Sequence, residues 1–182
     1  MKVLLINGSP KGKSSNSLKL ANSFVEGIRE TAEKSGEFVL DEVHVASFKI
    51  GACRGCFACW KNTPGVCCLK DDMQMVMEKI IRSDVIVWSF PLYYFNVPGI
   101  LKNLIDRQLP MNLPFMSESK SGLGSGSHDA RFDMGEKKQV LVSTCGFYSA
   151  EGNYDSVREM FNHFFEKTAM RPFFAVRENC SA

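Results

Sequence analysis

Five short apolar runs along the chain predict five β-strands. KVLLIN, DVIVWSF and QVLVST lack a regular alternation of apolar and polar residues, which is typical of strands covered on both faces of a parallel sheet. EFVLDEVHVA is also strand-like, but its adjacent acids, Asp41 and Glu42, favour an edge of the sheet. PFFAV is the candidate for the fifth strand. The predicted strands are Lys2–Asn7, Glu37–Ala46, Asp84–Phe90, Gln139–Thr144 and Pro172–Val176.

Between these runs, apolar residues recur at the spacing of amphipathic helices. The first helix is predicted from Ser15 to Lys34, the second begins after Asp71, and the third follows Pro98. Asp71 and Gln74 predict a capping box at the start of the second. The predicted apolar faces are Leu18, Ala21, Phe24, Val25, Ile28 and Ala32; Met73, Val76, Met77, Ile80 and Ile81; Leu101, Leu104 and Ile105; and Tyr154, Val157, Phe161, Phe164, Phe165 and Thr168. Alternating strands and helices predict βαβ units, a parallel sheet and one α/β domain over residues 1–182.

Two segments interrupt this alternation. Residues 50–70 contain five of the seven cysteines, and residues 108–137 form a long polar stretch that includes SGLGSGSHDARFD. The second segment is expected to be a surface insertion or a lid, and the sequence does not decide between the two.

Composition and charge exclude several classes of partner. The chain has 182 residues, of which 45% are hydrophobic, enough for one domain with a buried core. A formal net charge of +2 without a long basic run argues against a nucleic-acid partner. The first apolar run is too short for the core of a signal peptide, and the longest run, Val85–Phe95, is too short to cross a bilayer and contains Pro91. We therefore expect a cytoplasmic protein without a membrane partner.

The stretch INGSPKGKSSNS, between the first strand and the first helix, has the composition of a phosphate-binding loop. It ends like a P-loop in Gly12-Lys13-Ser14, but only three residues separate Gly8 from Gly12, where a P-loop needs four. The glycine spacing also differs from that of a dinucleotide-binding loop. A monophosphate fits better, because hydroxyl groups and the N–H groups of a helix N-terminus can surround a dianion. The candidate ligands are Ser9, Lys11, Lys13, Ser14, Ser15, Asn16 and Ser17.

Two further loops should meet this one at the carboxyl edge of the sheet, where open α/β sheets bind their ligands. PLYYFNVPG follows the DVIVWSF strand, and CGFYSAEGN follows QVLVST. Both are rich in aromatic residues and contain glycine, which suits a flat ring with polar edges. Tyr93, Tyr94 and Phe95 are adjacent and cannot all point into the core, so at least one is expected to face the site.

Four motifs in order resemble the flavodoxin-like NAD(P)H-dependent FMN reductases. The motifs are INGSP…SSNSLKLA, GACRGCFACW…GVCCLKDDM, SFPLYYFNVPGILKNLIDR and VSTCGF, and they are most similar to the multimeric branch that includes the iron–sulfur flavoproteins. The resemblance implies FMN as cofactor and NAD(P)H as co-substrate. It also implies a homo-oligomer and a flavodoxin-like fold, with a doubly wound five-stranded parallel sheet of order 2-1-3-4-5 between two helical layers.

The resemblance also assigns cofactor-binding residues, motif by motif. It gives the phosphate to Ser9, Asn16 and Ser17, the isoalloxazine and ribityl chain to Pro91, Leu92, Tyr93 and Asn96, and the pyrimidine side to Thr144, Gly146 and Phe147. Lys11, Ser15 and Tyr94, which lie in the same loops, complete the candidate set.

The cysteine spacing, Cys53-x2-Cys56-x2-Cys59-x7-Cys67, predicts a metal or redox site. A structural zinc site usually takes two separated pairs, whereas three thiolates at three-residue steps and a fourth farther on suit a [4Fe-4S] cluster, as in the iron–sulfur branch of the family. Cys68 is an alternative to Cys67 as the fourth ligand. Redox-active thiols and inert packing stay open as alternatives, and packing is the preferred interpretation of Cys145.

These features predict an FMN-dependent oxidoreductase that takes hydride from NAD(P)H and passes electrons to a quinone, a flavin or another small acceptor. The alternative is an electron-transfer module in which FMN and a [4Fe-4S] cluster serve an electron-carrier protein. No catalytic residue is predicted, because the cofactor carries the chemistry. No helix follows PFFAV to cover its sheet face, so we expect a homodimer or homotetramer.

Overall fold

A five-stranded parallel sheet forms the centre of the computed structural model, which describes residues 1–34, 36–118, 126–164 and 174–177. The sheet contains β1 (Lys2–Asn7), β2 (Val39–His44), β3 (Val85–Pro91), β6 (Lys138–Cys145) and β7 (Phe174–Arg177), while β4 (Asn112–Ser117) and β5 (Ser127–Ala130) form a separate antiparallel pair. The strand order is β2-β1-β3-β6-β7, which confirms the predicted order because β6 and β7 are the fourth and fifth strands of the sheet.

Helices cover both faces of the sheet, because its inner strands are apolar on both sides. Val3 and Leu5 of β1 pack with α1 on one face, while Leu4 and Ile6 belong to the core that α3, α4 and α5 cover on the other. The edge strand β2 buries only Val43, as its acidic pair predicted. The helices are α1 (Asn16–Ala32), α2 (Ala58–Lys61), α3 (Met73–Arg82), α4 (Gly99–Asp106) and α5 (Asp155–Phe164).

The predicted apolar faces agree with the burial of the helices. Leu18, Ala21, Val25 and Ala32 of α1 are buried, whereas Phe24 and Ile28 are half-buried. All three predicted residues of α4 are buried, as are those of α3 except the half-buried Ile81. Phe165 and Thr168, predicted to continue the last helix, lie outside the described residues. None of the helices in the described part of the chain combines the length and apolar character needed to cross a bilayer.

The capping box predicted at the start of α3 is wrong. The Asp71 carboxylate does accept a hydrogen bond from the Met73 amide (3.2 Å), but it also binds the guanidinium of Arg107 through both of its oxygens. The Gln74 side chain donates to Glu78 within the helix instead of reaching back (3.5 Å). A bidentate bond to a cation is stronger than a neutral one, which accounts for the different geometry.

The two segments that interrupt the α/β alternation pack against each other. The segment 108–137 contains the β4–β5 pair, and the indole of Trp60, in the cysteine-containing segment 50–70, lies 5.0 Å from the ring of His128 in β5. The Trp60 Nε1–H also donates to the carbonyl of Leu109 (3.1 Å). The predicted insertion thus contains a two-stranded sheet that holds the cysteine segment in place.

Candidate functional site

The loop between β1 and α1 is organised by a buried asparagine at the end of the strand. The Asn7 Nδ2–H donates to the carbonyl of Gly12 (2.8 Å), and its Oδ1 accepts from the amide of Ser9 (3.1 Å). The Gly8 N–H donates to the carbonyl of Ser89 (2.8 Å), which attaches the loop to β3. Asn7 was not among the predicted site residues. A polar residue that ends an apolar strand just before a glycine loop is the signal that could have revealed it.

The three innermost hydroxyl groups of this loop are buried. Ser9, Ser15 and Ser17 are each at most 2% exposed, and the hydroxyls of Ser15 and Ser17 are hydrogen-bonded to each other at 2.7 Å. One hydrogen bond between two hydroxyls uses one proton, so the other O–H can still donate to a ligand. The first N–H groups of α1 have no intrahelical acceptor either, and they carry the positive end of the helix dipole. Lys11 and Asn16 lie at the exposed rim.

Gly8 allows the loop to approach α4 closely. A Cβ atom at position 8 would lie 2.5 Å from Cδ2 and 2.8 Å from Cβ of the fully buried Leu101. Replacing Gly8 with alanine should therefore lower the free energy of unfolding by about 1–3 kcal/mol. Urea denaturation measures the change. Gly27→Ala on α1 is the matched control, because the added methyl would meet nothing within 4 Å beyond its chain neighbours and the backbone of its own helix, and an equal loss there would contradict the steric explanation.

The loop after β3 forms a strained two-residue turn. Tyr93 and Asn96 exchange backbone hydrogen bonds, each 2.9 Å long, and the residues between them, Tyr94 and Phe95, have φ values of 45° and 60°. Left-handed backbone at non-glycine residues is uncommon and costs roughly 1–3 kcal/mol per residue; it is often found at functional sites. Tyr93, Tyr94 and Phe95 are all exposed, so none of them is a core residue.

The loops after β3 and β6 contact each other. The rings of Phe95 and Phe147 stack with centroids 5.5 Å apart and planes 14° apart, and the Leu92 amide donates to the carbonyl of Thr144 (2.8 Å). Since β1, β3 and β6 are neighbours and parallel, all three loops leave the same edge of the sheet. Phe95 was not in the candidate set. Of the remaining candidates, Pro91 is the last residue of β3, and Tyr94, Asn96 and Gly146 lie in these two loops.

The five clustered cysteines border one cavity on the cysteine segment. Cys53, Cys56, Cys59, Cys67 and Cys68 all line it, which brings the predicted ligands together with the alternative fourth ligand. The sulfur atoms of Cys56 and Cys68 are 3.6 Å apart. Within the residues that the structure describes, however, no three His, Cys, Asp or Glu side chains converge closely enough to hold a single metal ion.

The thiols in this cavity differ in acidity. The pKa of Cys56 is lowered mainly by a hydrogen bond from the Ala58 amide and, to a smaller extent, by one from the Cys68 thiol. Donating that bond raises the pKa of Cys68, and burial raises the pKa of Cys59. Cys56 is therefore more readily ionised than either of these two thiols.

A buried ion pair lies beside the cysteines. Arg107, at the end of α4, is 1% exposed and lines the cavity. Its Nη1 and Nη2 atoms donate to the two carboxylate oxygens of Asp71 at 2.7 and 2.8 Å. Nη1 also donates to the carbonyl of Gly51 at 2.9 Å. These bonds from Arg107 lower the pKa of Asp71. Neither residue was predicted as part of a site, because no local pattern links an aspartate and an arginine that are distant in sequence.

Comparisons with known proteins show one family over almost the whole chain. A family model described as flavodoxin-like fold matches residues 1–176. The chain is 40% identical over 107 residues to an iron–sulfur flavoprotein of Archaeoglobus fulgidus, a match that covers 59% of this chain and 48% of that protein. It is 32% identical over 139 residues to FMN-dependent NADH:quinone oxidoreductase 2 of Pseudomonas syringae pv. tomato, covering 70% of this chain and 65% of the relative. The chain spans about half the length of the iron–sulfur flavoproteins it matches.

Solved structures share the fold at low sequence identity. An NAD(P)H:quinone oxidoreductase from Methanothermobacter marburgensis superimposes with a TM-score of 0.68 at 16% identity, over 96% of this chain and 84% of the other. An FMN-dependent NADH-azoreductase from Bacillus anthracis, solved in complex with FMN, gives a TM-score of 0.60 at 20% identity, over 97% and 85% of the two chains.

Proposed function

Because the chain belongs to the family with a flavodoxin-like fold, as its motifs predicted, we propose that it is an FMN-dependent oxidoreductase. Its hydride donor is NAD(P)H, and its acceptor is a quinone, a flavin or another small molecule. The observation that carries the proposal is the group of buried serine hydroxyls at the N-terminus of α1, on the same sheet edge as two aromatic loops. The names of the oxidoreductase relatives support the same reaction class.

The phosphate loop fits a single phosphate group. Its buried hydroxyls, an O–H left free to donate and the first N–H groups of α1 match the oxygens of a phosphate monoester, and Gly8 brings the backbone close to α4. The chain has no dinucleotide-binding glycine pattern, so FMN fits this loop better than FAD. The phosphate-binding residues in the proposal are Ser9, Lys11, Ser15, Asn16 and Ser17.

The two aromatic loops would hold the flavin ring. The stacked Phe95 and Phe147 form an apolar wall beside the strained turn. FMN supplies the redox chemistry when bound, so the protein needs only to bind and orient it and to admit nicotinamide and acceptor in turn. The ring-binding residues in the proposal are Pro91, Leu92, Tyr93, Tyr94, Asn96, Thr144, Gly146 and Phe147.

Anaerobic mixing with reduced nicotinamides tests the proposed reaction. Addition of NADH or NADPH to the flavin-loaded protein should bleach the flavin absorbance, and a quinone added afterwards should restore it. A protein that binds flavin but is bleached by neither nicotinamide would contradict the reductase proposal while leaving flavin binding intact.

A second candidate function is that of an iron–sulfur flavoprotein, and the cavity bordered by five cysteines favours it. In a cubane each thiolate binds a different iron, so the ligands surround a cavity and need not converge on one ion. Cys53, Cys56, Cys59 and Cys67 would bind the irons, with Cys68 as the alternative fourth ligand. The protein would then pass single electrons to a carrier protein. Retained iron and sulfide together with slow NAD(P)H turnover would favour this function over the first.

A homodimer or homotetramer in the cytoplasm, without a nucleic-acid or membrane partner, completes the proposal. Large side chains near the candidate site are strongly exposed, which supports an assembly that covers them. Tyr94 is fully exposed, Tyr148 is 90% exposed and Phe115 of β4 is 75% exposed.

A further inference from the structure

We propose that the positive charge of Arg107 acts on an iron–sulfur cluster held by the cysteines that border the cavity. It would stabilise the negative charge of the cluster and raise its reduction potential. The inference rests on the iron–sulfur candidate function above. Arg107 would act on the cluster through its charge alone and would bind no iron.

The guanidinium is fixed in place, and part of it has no partner. Two bonds to Asp71 and one to Gly51 hold the Nη1 and Nη2 atoms, whereas the buried Nε atom has no hydrogen-bond partner among the described residues. A buried donor without an acceptor is costly, at roughly 1–3 kcal/mol. An arginine that is 1% exposed and borders a cavity of thiols is thus suited to an anionic occupant of that cavity.

The ion pair presents its positive end to the cysteines. Arg107 lines the cavity together with the cysteines, and Asp71 does not. The carboxylate therefore anchors the guanidinium from behind and partly offsets its charge. Leu109 and Pro110 also border the cavity, and Arg107 itself is buried, so water screens its charge less than it would at the surface.

The sign of the effect follows from the charges. One-electron reduction makes a four-thiolate cluster more negative, so a fixed positive charge nearby favours the reduced form. Replacing Arg107 with methionine should lower the equilibrium constant for one-electron reduction at least tenfold, a shift of ~59 mV to more negative potential. Asp71→Asn removes the opposing negative charge and should shift the potential in the opposite direction.

The test is anaerobic reconstitution with iron and sulfide, followed by iron and sulfide assays and a dithionite titration monitored by absorbance and electron paramagnetic resonance. The variants are Arg107→Met, Arg107→Lys, Asp71→Asn and the control Arg54→Gln. Arg54 also lines the cavity but is exposed, so removing its charge should change the equilibrium constant about twofold or less. Retained FMN shows that each variant is folded.

The outcomes separate the two levels of the proposal. A lower potential in Arg107→Met, partial recovery in Arg107→Lys and a higher potential in Asp71→Asn support the role of Arg107. Two results would overturn that role alone, provided that the wild type holds a cluster. One is a reduction potential unchanged in Arg107→Met, and the other is a shift in the same direction in Arg107→Met and Asp71→Asn. Should Arg107→Met lose FMN, the other two variants decide the matter, because the reduction potential should be higher in Asp71→Asn than in Arg107→Lys. Wild-type protein that retains FMN but incorporates no iron and sulfide overturns both the iron–sulfur function and the role of Arg107.

Discussion

Replacing Asp71 with alanine is expected to lower the free energy of unfolding by about 3–5 kcal/mol, because it leaves the Arg107 guanidinium buried without its counter-charge. Arg107 is 1% exposed and Asp71 15%, so solvent replaces little of the lost interaction. Urea denaturation followed by tryptophan fluorescence measures the loss. The double variant Asp71→Leu with Arg107→Met removes both charges and should recover much of it, since apolar replacement of a buried pair is often neutral.

Acid should remove the same contribution. Hydrogen bonds from Arg107 lower the pKa of Asp71 in the folded protein below its ordinary value of 3.8. The ion pair therefore contributes its full stabilisation above pH 3.8, and this contribution disappears as the pH falls through the lower pKa of the folded state. The difference in stability between the wild type and Asp71→Ala should accordingly be constant near neutral pH and shrink in strong acid. A loss below about 1 kcal/mol at neutral pH, in the range of a surface ion pair, would contradict the account.

Replacing Ser15 and Ser17 together with alanine is expected to weaken FMN binding by roughly tenfold to more than a hundredfold. The bonded pair of hydroxyls has one O–H left to donate, and one lost hydrogen bond to a charged phosphate costs about 1.5–3 kcal/mol, where about 1.4 kcal/mol corresponds to a factor of ten. Both side chains are buried at the start of α1, and alanine fits the space that they leave, so the fold should persist. Titration of the flavin-free protein with FMN, followed by quenching of flavin fluorescence, gives the dissociation constant.

Ser14 provides the control for this experiment. The sequence made it a candidate phosphate ligand, but in the structure its side chain is exposed and its hydroxyl donates to the carbonyl of Lys11 (2.8 Å). Ser14→Ala should therefore leave the affinity for FMN nearly unchanged. Equal affinities of the double variant and the wild type would mean that the phosphate binds elsewhere.

The fold was predictable because its signals are local. β1 and β3 are apolar on both faces, which identifies central parallel strands, and the acids of β2 identify an edge. The apolar spacing of α1 and α3 likewise predicts the buried faces that the structure contains. The β4–β5 pair was not predictable, because β4 buries little apolar surface and His128 of β5 packs on Trp60, which is far away in sequence.

The candidate site was predictable only in part, for the same reason. The phosphate loop is contiguous, so its serines could be recognised before the structure was known. Asp71 was expected to cap α3, an interaction within a few residues, but a distant arginine competes for its carboxylate and forms the stronger bonds. Only tertiary packing places this ion pair beside the cysteines.

Identification of the bound chromophore tests the central claim most directly. Heating the purified protein and determining the mass of the released compound distinguishes a mononucleotide from a dinucleotide. The account predicts FMN, because the loop at the start of α1 accommodates one terminal phosphate and lacks a dinucleotide-binding pattern. Release of FAD, or of no flavin from a folded protein that also fails to bind added FMN, would contradict it.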